Sequence, residues 1–208
     1  MFSEQKVAQM SAFFLNQSDE KKLSNLKLMT LLYIAERESV RDFGYPMSED
    51  KFLSMPHGPV LSMTLELMNG NIESQPNGWE FWVSDKENHE MSLRNQFISL
   101  EDLDELSCAE LELLQGVWNQ FGTMDKWQIS KWTHENCVEW KNPHGSIQPI
   151  DFQSMACAVG FNTTTAKDLQ ERINEENYIE KLFKDLSLNQ ETLGREFTVD
   201  FRDLYQTH

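Results

Sequence analysis

Apolar residues recur at helical spacing through most of the chain, and this pattern predicts a mainly helical protein. Val7, Met10 and Phe14 stand three and four residues apart, which indicates a short amphipathic helix. Nearly every residue from 28 to 35 is apolar. A helix that is apolar on most faces is typical of the centre of a domain, and Gly44 predicts its end.

Further helices follow in the second half of the chain. Ser107 and Glu110 have the spacing of a capping box, in which each side chain accepts a hydrogen bond from the other residue's backbone N–H. They predict the start of a helix that ends at Gly122, and Asp125 predicts the start of the next one. We expect the last long helix from about 165 to 186.

The sequence SMPHGPV, residues 54–60, is predicted to separate two short helices. Ser48 is expected to cap the first of them. Pro56 ends it, because a residue that precedes proline disfavours the helical conformation. Pro59 has a fixed φ that suits the first turn of the second helix, which we expect to run to about Met68.

Only the segment 78–94 alternates as a strand pair does. Its alternating residues are Trp79, Phe81 and Val83 before a polar turn, and Met91 and Leu93 after it. The predicted fold class is therefore mainly α (α+β), a compact helical domain with one small antiparallel β-hairpin and a C-terminal helical extension. We place the helical domain at 1–148 and the extension at 149–208.

Composition and charge narrow the possible functions. The chain has 208 residues, of which 39% are hydrophobic, and this is enough to bury a core. Its net charge is −16, so binding to nucleic acid is not expected, because that binding relies on lysine and arginine. No segment predicts a membrane span or a signal peptide. The three separated cysteines favour a reducing compartment, and we expect a cytoplasmic protein.

The histidines and cysteines leave two chemical alternatives open. His134, Cys137 and His144 lie close together in sequence, but their spacing matches no familiar zinc site. Cys137 and His57 are a conceivable nucleophile and base of a hydrolase, without a local sequence signature. We expect no cofactor, since the chain has no phosphate-binding glycine motif.

Three tryptophans, Trp127, Trp132 and Trp140, stand near His134 in one short region. Aromatic residues at this density usually belong to a core, but tryptophan is also enriched where proteins bind each other.

An ordered series of motifs gives the region from Leu23 to Trp140 a family resemblance. LKLMTLLYIAER is followed by MPHGPV, by the tryptophan-containing segment and by ISKWTHENCVEW. The series resembles the Panacea domain of SocA-like antitoxins. The residues that carry this resemblance are Lys27, Leu28, Leu31, Leu32 and Tyr33, then Gly58, Pro59 and Val60, then Thr133, His134 and Trp140.

The resemblance implies a binding protein rather than an enzyme, whose partner is a co-encoded toxin. Alternatives are an adaptor that delivers a toxin to a protease, and an acidic inhibitor of a host protein that mimics DNA. The C-terminal helix can add specificity by lying in a partner's groove. The resemblance implies these partner-binding residues: Tyr33, His57, Gly58, Pro59, Trp132, Thr133, His134 and Trp140.

Overall fold

The computed structural model is mainly α-helical with small antiparallel sheets, which confirms the predicted fold class. It describes the backbone of residues 1–84, 88–97 and 99–200, and within them the side chains up to Phe183 and that of Leu186. The helices are α1 (Glu4–Gln17), α2 (Asn25–Phe43), α3 (Ser62–Asn69), α4 (Trp79–Trp82), α5 (Cys108–Phe121), α6 (Lys126–Asn136), α7 (Phe152–Ala158) and α8 (Thr163–Asp200). The strands are β1 (Lys22–Ser24), β2 (Phe52–Met55), β3 (Gly58–Leu61), β4 (Glu90–Ser92) and β5 (Gln148–Ile150).

Helix α2 lies at the centre of the fold, as its apolar sequence predicts. All residues from 28 to 36 are buried, and α1, α5, α6, α7 and β3 pack around them. The Ser24 hydroxyl accepts a hydrogen bond from the backbone N–H of Lys27 at the start of the helix. At the end, Gly44 adopts a φ of 81°, a left-handed conformation that glycine takes without a steric penalty.

Helices α5 and α6 also begin where the sequence predicts. The Ser107 hydroxyl accepts from the N–H of Glu110, whose carboxylate accepts from the N–H of Ser107. Asp125 and Gln128 form the same reciprocal pair at the start of α6. These local bonds fix where α6 starts, and α6 packs against α2 and β3.

The segment 52–61 is a β-hairpin, so the short helix predicted before Pro56 is wrong. Strands β2 and β3 pair antiparallel with Met55 opposite Gly58, which leaves Pro56 and His57 as a two-residue turn. Pro59 lies inside β3 rather than in the first turn of a helix, and α3 begins later.

Contacts from distant parts of the chain explain this difference. Ser48, which we expected to cap a helix, is buried and donates its hydroxyl to the carboxylate of Glu36 in α2. The start of α3 is capped instead by Asp50, whose carboxylate accepts from the backbone N–H groups of Met63 and Thr64 at 2.9 and 2.8 Å. Neither contact has a local sequence signal.

The predicted strand at 79–83 is mostly a short helical turn, α4. The buried carboxylate of Glu4 accepts from the backbone N–H groups of Gln75 and Trp79 and holds this turn. A Cβ on Gly78 would lie 2.2 Å from a Glu4 oxygen, so only glycine allows this approach. The turn packs against α1 with Trp79 buried and Phe81 exposed.

Of the hairpin predicted near 78–94, the described residues show an antiparallel bridge between Val83 and Leu93, and residues 85–87 of its predicted turn lie outside the described ranges. The neighbouring strand β4 pairs with β1, with Met91 opposite Leu23. The second sheet has the order β3-β2-β5. The hairpin that the structure contains, β2–β3, lies in a segment for which we predicted helices.

The chain divides into two compact units, Met1–Leu169 and Gln170–His208. Residues 149–169, which we assigned to the extension, lie in the first unit because β5 pairs with β2 and α7 packs against α2. Helix α8 begins slightly before its predicted start, and its backbone continues beyond the predicted end at 186. Within the described ranges, no helix has both the length and the apolar composition that a bilayer crossing requires.

Candidate protein-interaction face

The turn of the β2–β3 hairpin is fastened to helix α6. The Ser130 hydroxyl donates a hydrogen bond to the carbonyl of His57 at 2.6 Å. Gly58 has a φ of 131°, and a Cβ at this position would lie 3.1 Å from the hydroxyl oxygen of Thr133. Thr133 is fully buried. Only glycine combines this backbone conformation with such a close approach to α6.

The segment after α6 holds the hairpin from its other strand. The indole N–H of Trp140 donates to the carbonyl of Met55 at 3.0 Å. The backbone N–H of Lys141 donates to the Ser54 hydroxyl at 3.2 Å. The hairpin is therefore fixed by two separate sets of hydrogen bonds, and its turn has a defined position.

Four aromatic rings line this region, and we call them the aromatic row: Trp127, His57, His134 and Trp140. Trp127 and His57 meet edge to face with centroids 5.7 Å apart. His134 stacks on Trp140 at 4.0 Å and an interplanar angle of 13°. His57 and His134 are exposed, Trp127 is 57% exposed, and Trp140 is half-buried. The row presents aromatic edges and faces on the surface of the first compact unit.

His57 lies close enough to His134 to act on it electrostatically. Burial against its neighbours, and then the positive charge that His57 can carry, lower the pKa of His134 below its ordinary value. A neutral imidazole at physiological pH stacks on an indole without the desolvation cost of a cation.

A buried ion pair positions the backbone next to the row. Glu139 accepts from Arg37 Nε at 2.8 Å and from the Tyr33 hydroxyl at 2.7 Å, both on the same carboxylate oxygen. The Glu139 side chain is completely buried, and that of Arg37 is 11% exposed. Because Arg37 and Tyr33 belong to α2, this cluster ties the segment of Trp140 to the central helix.

The residues that the resemblance marked as partner-binding fall into two groups. His57 and His134 are exposed, and Trp140 is half-buried within the row. Trp132 is half-buried as well, but it packs against Phe121 of α5 with ring centroids 4.6 Å apart. The other four are buried: Tyr33, Gly58, Pro59 and Thr133. These four support the face from below, and direct contact of these residues with a partner stays a prediction.

This geometry does not support a metal site or a cysteine nucleophile, the two chemical alternatives that the sequence left open. No three His, Cys, Asp or Glu side chains of the described ranges are grouped as a metal site requires, so His134, Cys137 and His144 do not form one. Burial, with the negative charge of Glu139, raises the pKa of Cys137 to about 12. A buried thiol with this pKa is not a nucleophile at neutral pH.

Sequence reasoning missed three residues of this region. Trp127 was noticed as part of a tryptophan cluster but was not expected at the face, and its position at the start of α6 is the only local signal of its exposure. Arg37 and Glu139 have no motif of their own. Their pairing across 102 residues is visible only in the structure.

Comparison with protein families decides the identity of the domain. The sequence profile of the antitoxin SocA-like family, Panacea domain, matches residues 28–141, just over half of the chain. The chain belongs to this family. The matched segment of the Panacea domain runs from α2 through the hairpin and α6 to Lys141, so it contains the whole aromatic row. The family resemblance of the sequence is confirmed, and it indicates an antitoxin-type role with a protein partner. No curated protein and no solved structure matches the chain.

Proposed function

We propose that this Panacea domain neutralises a toxin encoded beside it by binding the toxin directly through the aromatic row. The observation that carries the proposal is the convergence of two family motifs, the MPHGPV turn and the helix ISKWTHE, in one rigid face. Tryptophan is among the residues that contribute most to protein–protein binding, and rings fixed before binding lose little conformational entropy when they bind.

The proposal includes a mode of action, binding without catalysis. Binding without catalysis is supported by the high pKa of the buried Cys137 thiol. The buried motif residues Tyr33, Gly58 and Thr133 also support the fold beneath the face. The net charge of −16 favours a basic partner, because complementary potentials accelerate association. Such an association should slow as the salt concentration rises, since ions screen the attraction.

The test is co-expression of the chain with the product of the adjacent reading frame, followed by co-purification and a growth assay. We expect a stoichiometric complex and restored growth. Trp127→Ala and His57→Ala should weaken the complex, for Trp127 by about thirtyfold if it is a hot spot. Phe81→Ala is the matched control, since Phe81 is 44% exposed and belongs to α4, outside the row.

Three results would contradict the proposal. They are the absence of a toxic adjacent product, rescue by amounts of the chain far below those of the toxin, and equal weakening by the control variant. Rescue that disappears in cells lacking one cytoplasmic protease would replace direct neutralisation by the adaptor role.

A further inference from the structure

Helix α8 carries an exposed apolar stripe in the second compact unit. Its side chains recur three and four residues apart and therefore lie along one side of the helix. Each is between 43% and 67% exposed: Tyr178, Ile179, Leu182, Phe183 and Leu186. Single apolar residues on a surface are ordinary, but five within three helical turns form a contiguous patch of the kind that marks a binding site.

Carboxylates continue the same side of α8 toward its N-terminus. Glu175 stands three residues before Tyr178 and four before Ile179, and Glu171 stands one turn further. Both glutamates are exposed. Glu175 therefore places a negative charge directly at the N-terminal end of the apolar stripe, and the exposed Lys181 lies at its edge.

A second copy of the chain fits this surface poorly. Two α8 helices aligned in parallel would bring Glu175 of one copy next to Glu175 of the other, and like charges at that distance repel. The net charge of −16 on each chain opposes association in either direction. A partner with positive charge beside an apolar face satisfies both parts of the surface.

We infer that the α8 stripe is a docking surface for an amphipathic helix of another protein, whose apolar face is accompanied by lysine or arginine. The leucine, isoleucine and aromatic side chains of the stripe lose their contact with water in the complex, and a basic residue of the partner pairs with Glu175. This surface is separate in sequence from the aromatic row and does not depend on the function proposed for the row.

The experiment uses the full chain and two synthetic helices of about 18 residues, or five turns. Both have leucines along one face; one has flanking lysines and the other has glutamates in their place. Fluorescence anisotropy should show binding of the lysine helix and not of the glutamate helix. Ile179→Ser combined with Leu182→Ser should weaken binding at least about tenfold, because it removes two apolar side chains from the contact.

Three further variants separate the electrostatic contribution from the apolar one and from unrelated surfaces. Glu175→Gln should weaken binding of the lysine helix and reduce its dependence on salt, while the fold stays intact by circular dichroism. Met63→Ser is the matched control, because Met63 is an exposed apolar residue of α3 in the first compact unit. Trp127→Ala, which tests the aromatic row, should leave binding of the lysine helix unchanged.

Equal binding of the two synthetic helices, or binding that the double serine variant does not change, would overturn the inference. Failure of both helices to bind would overturn it too. Sedimentation of the chain alone tests whether a second copy of the chain binds the stripe instead. A concentration-dependent dimer that the double serine variant abolishes would assign the stripe to a second copy and contradict a basic partner.

Discussion

Replacing Glu139 with Gln tests whether the buried ion pair holds the segment of Trp140 on α2. The carboxylate of Glu139 accepts hydrogen bonds from Arg37 and Tyr33 and is completely buried. Removal of one partner from a buried ion pair costs about 3–5 kcal/mol, because the other charge stays buried without compensation. Arg37 keeps a second, longer ion pair with Glu38, at 3.7 Å. We therefore expect the free energy of unfolding to fall by about 3 kcal/mol, the lower end of that range.

The assay is urea unfolding followed by tryptophan fluorescence, for Glu139→Gln, Arg37→Met and the double variant. If the two charges interact directly, the double variant should lose about 2 kcal/mol less than the sum of the single variants. Arg41→Met is the control on the same helix. The Arg41 side chain is 50% exposed and pairs with Glu38 and Asp42, and surface pairs of this kind contribute at most about 1 kcal/mol.

A loss below about 1 kcal/mol for Glu139→Gln would place the pair among ordinary surface pairs and refute the reasoning. Additive losses in the double variant would refute it as well, because they would show that Arg37 and Glu139 stabilise the fold independently. In either case the position of Trp140 would have to be explained by its hydrogen bond to Met55 alone.

Other substitutions test individual contacts of the fold. Gly58→Ala should lower the free energy of unfolding by about 1–3 kcal/mol in thermal melts, because φ is 131° and the new Cβ meets Thr133. Asp50→Ala removes the cap of α3 and should cost about 1–2 kcal/mol in urea unfolding. Burial raises the pKa of Glu36 from 4.5 to about 7, so the native state holds a proton that the unfolded chain releases. The stability from Glu36 is complete below pH 4.5 and is lost as the pH rises to about 7, a change on the order of 3 kcal/mol. Glu36→Gln should remove this part of the slope between pH 4.5 and about 7, and an unchanged slope would contradict the assignment.

Helix positions could be predicted because the signals that set them are local. The capping box of Ser107 and Glu110 spans four residues, and Gly44 directly follows the last turn of α2. The apolar residues 28–35 predicted the central helix for the same reason, since a helix buried on all sides needs no polar face. Each of these signals operates within one or two helical turns.

The strands could not be predicted in the same way, because distant residues decide them. The carboxylate of Glu36 binds Ser48, and that of Glu4 holds the turn at Trp79, so two expected elements changed type. Strand β5 joins β2 from about a hundred residues away and contains Pro149, which weakens any strand signal. Short strands in a mainly helical protein depend on such contacts more than on their own sequence.

The candidate site was predictable as a set of motifs but not as a surface. Family resemblance marked His57 and His134, and the structure places both of them in the aromatic row. Their contacts with Trp127 and Trp140 join three separate segments of the chain. Which motif residues are exposed follows from this packing and not from their order in the sequence.

The division between buried and exposed motif residues has a consequence for how this face can serve binding. Gly58, Thr133 and Tyr33 fix the backbone beneath the row, so their substitution should lower stability and binding together. Trp127 and His57 contribute little to the core, so their substitution should lower binding while the free energy of unfolding changes little. A buried frame of this kind allows the exposed rings to be exchanged without loss of the fold. Parallel measurements of stability and binding on both groups therefore distinguish an interaction face from a purely structural cluster.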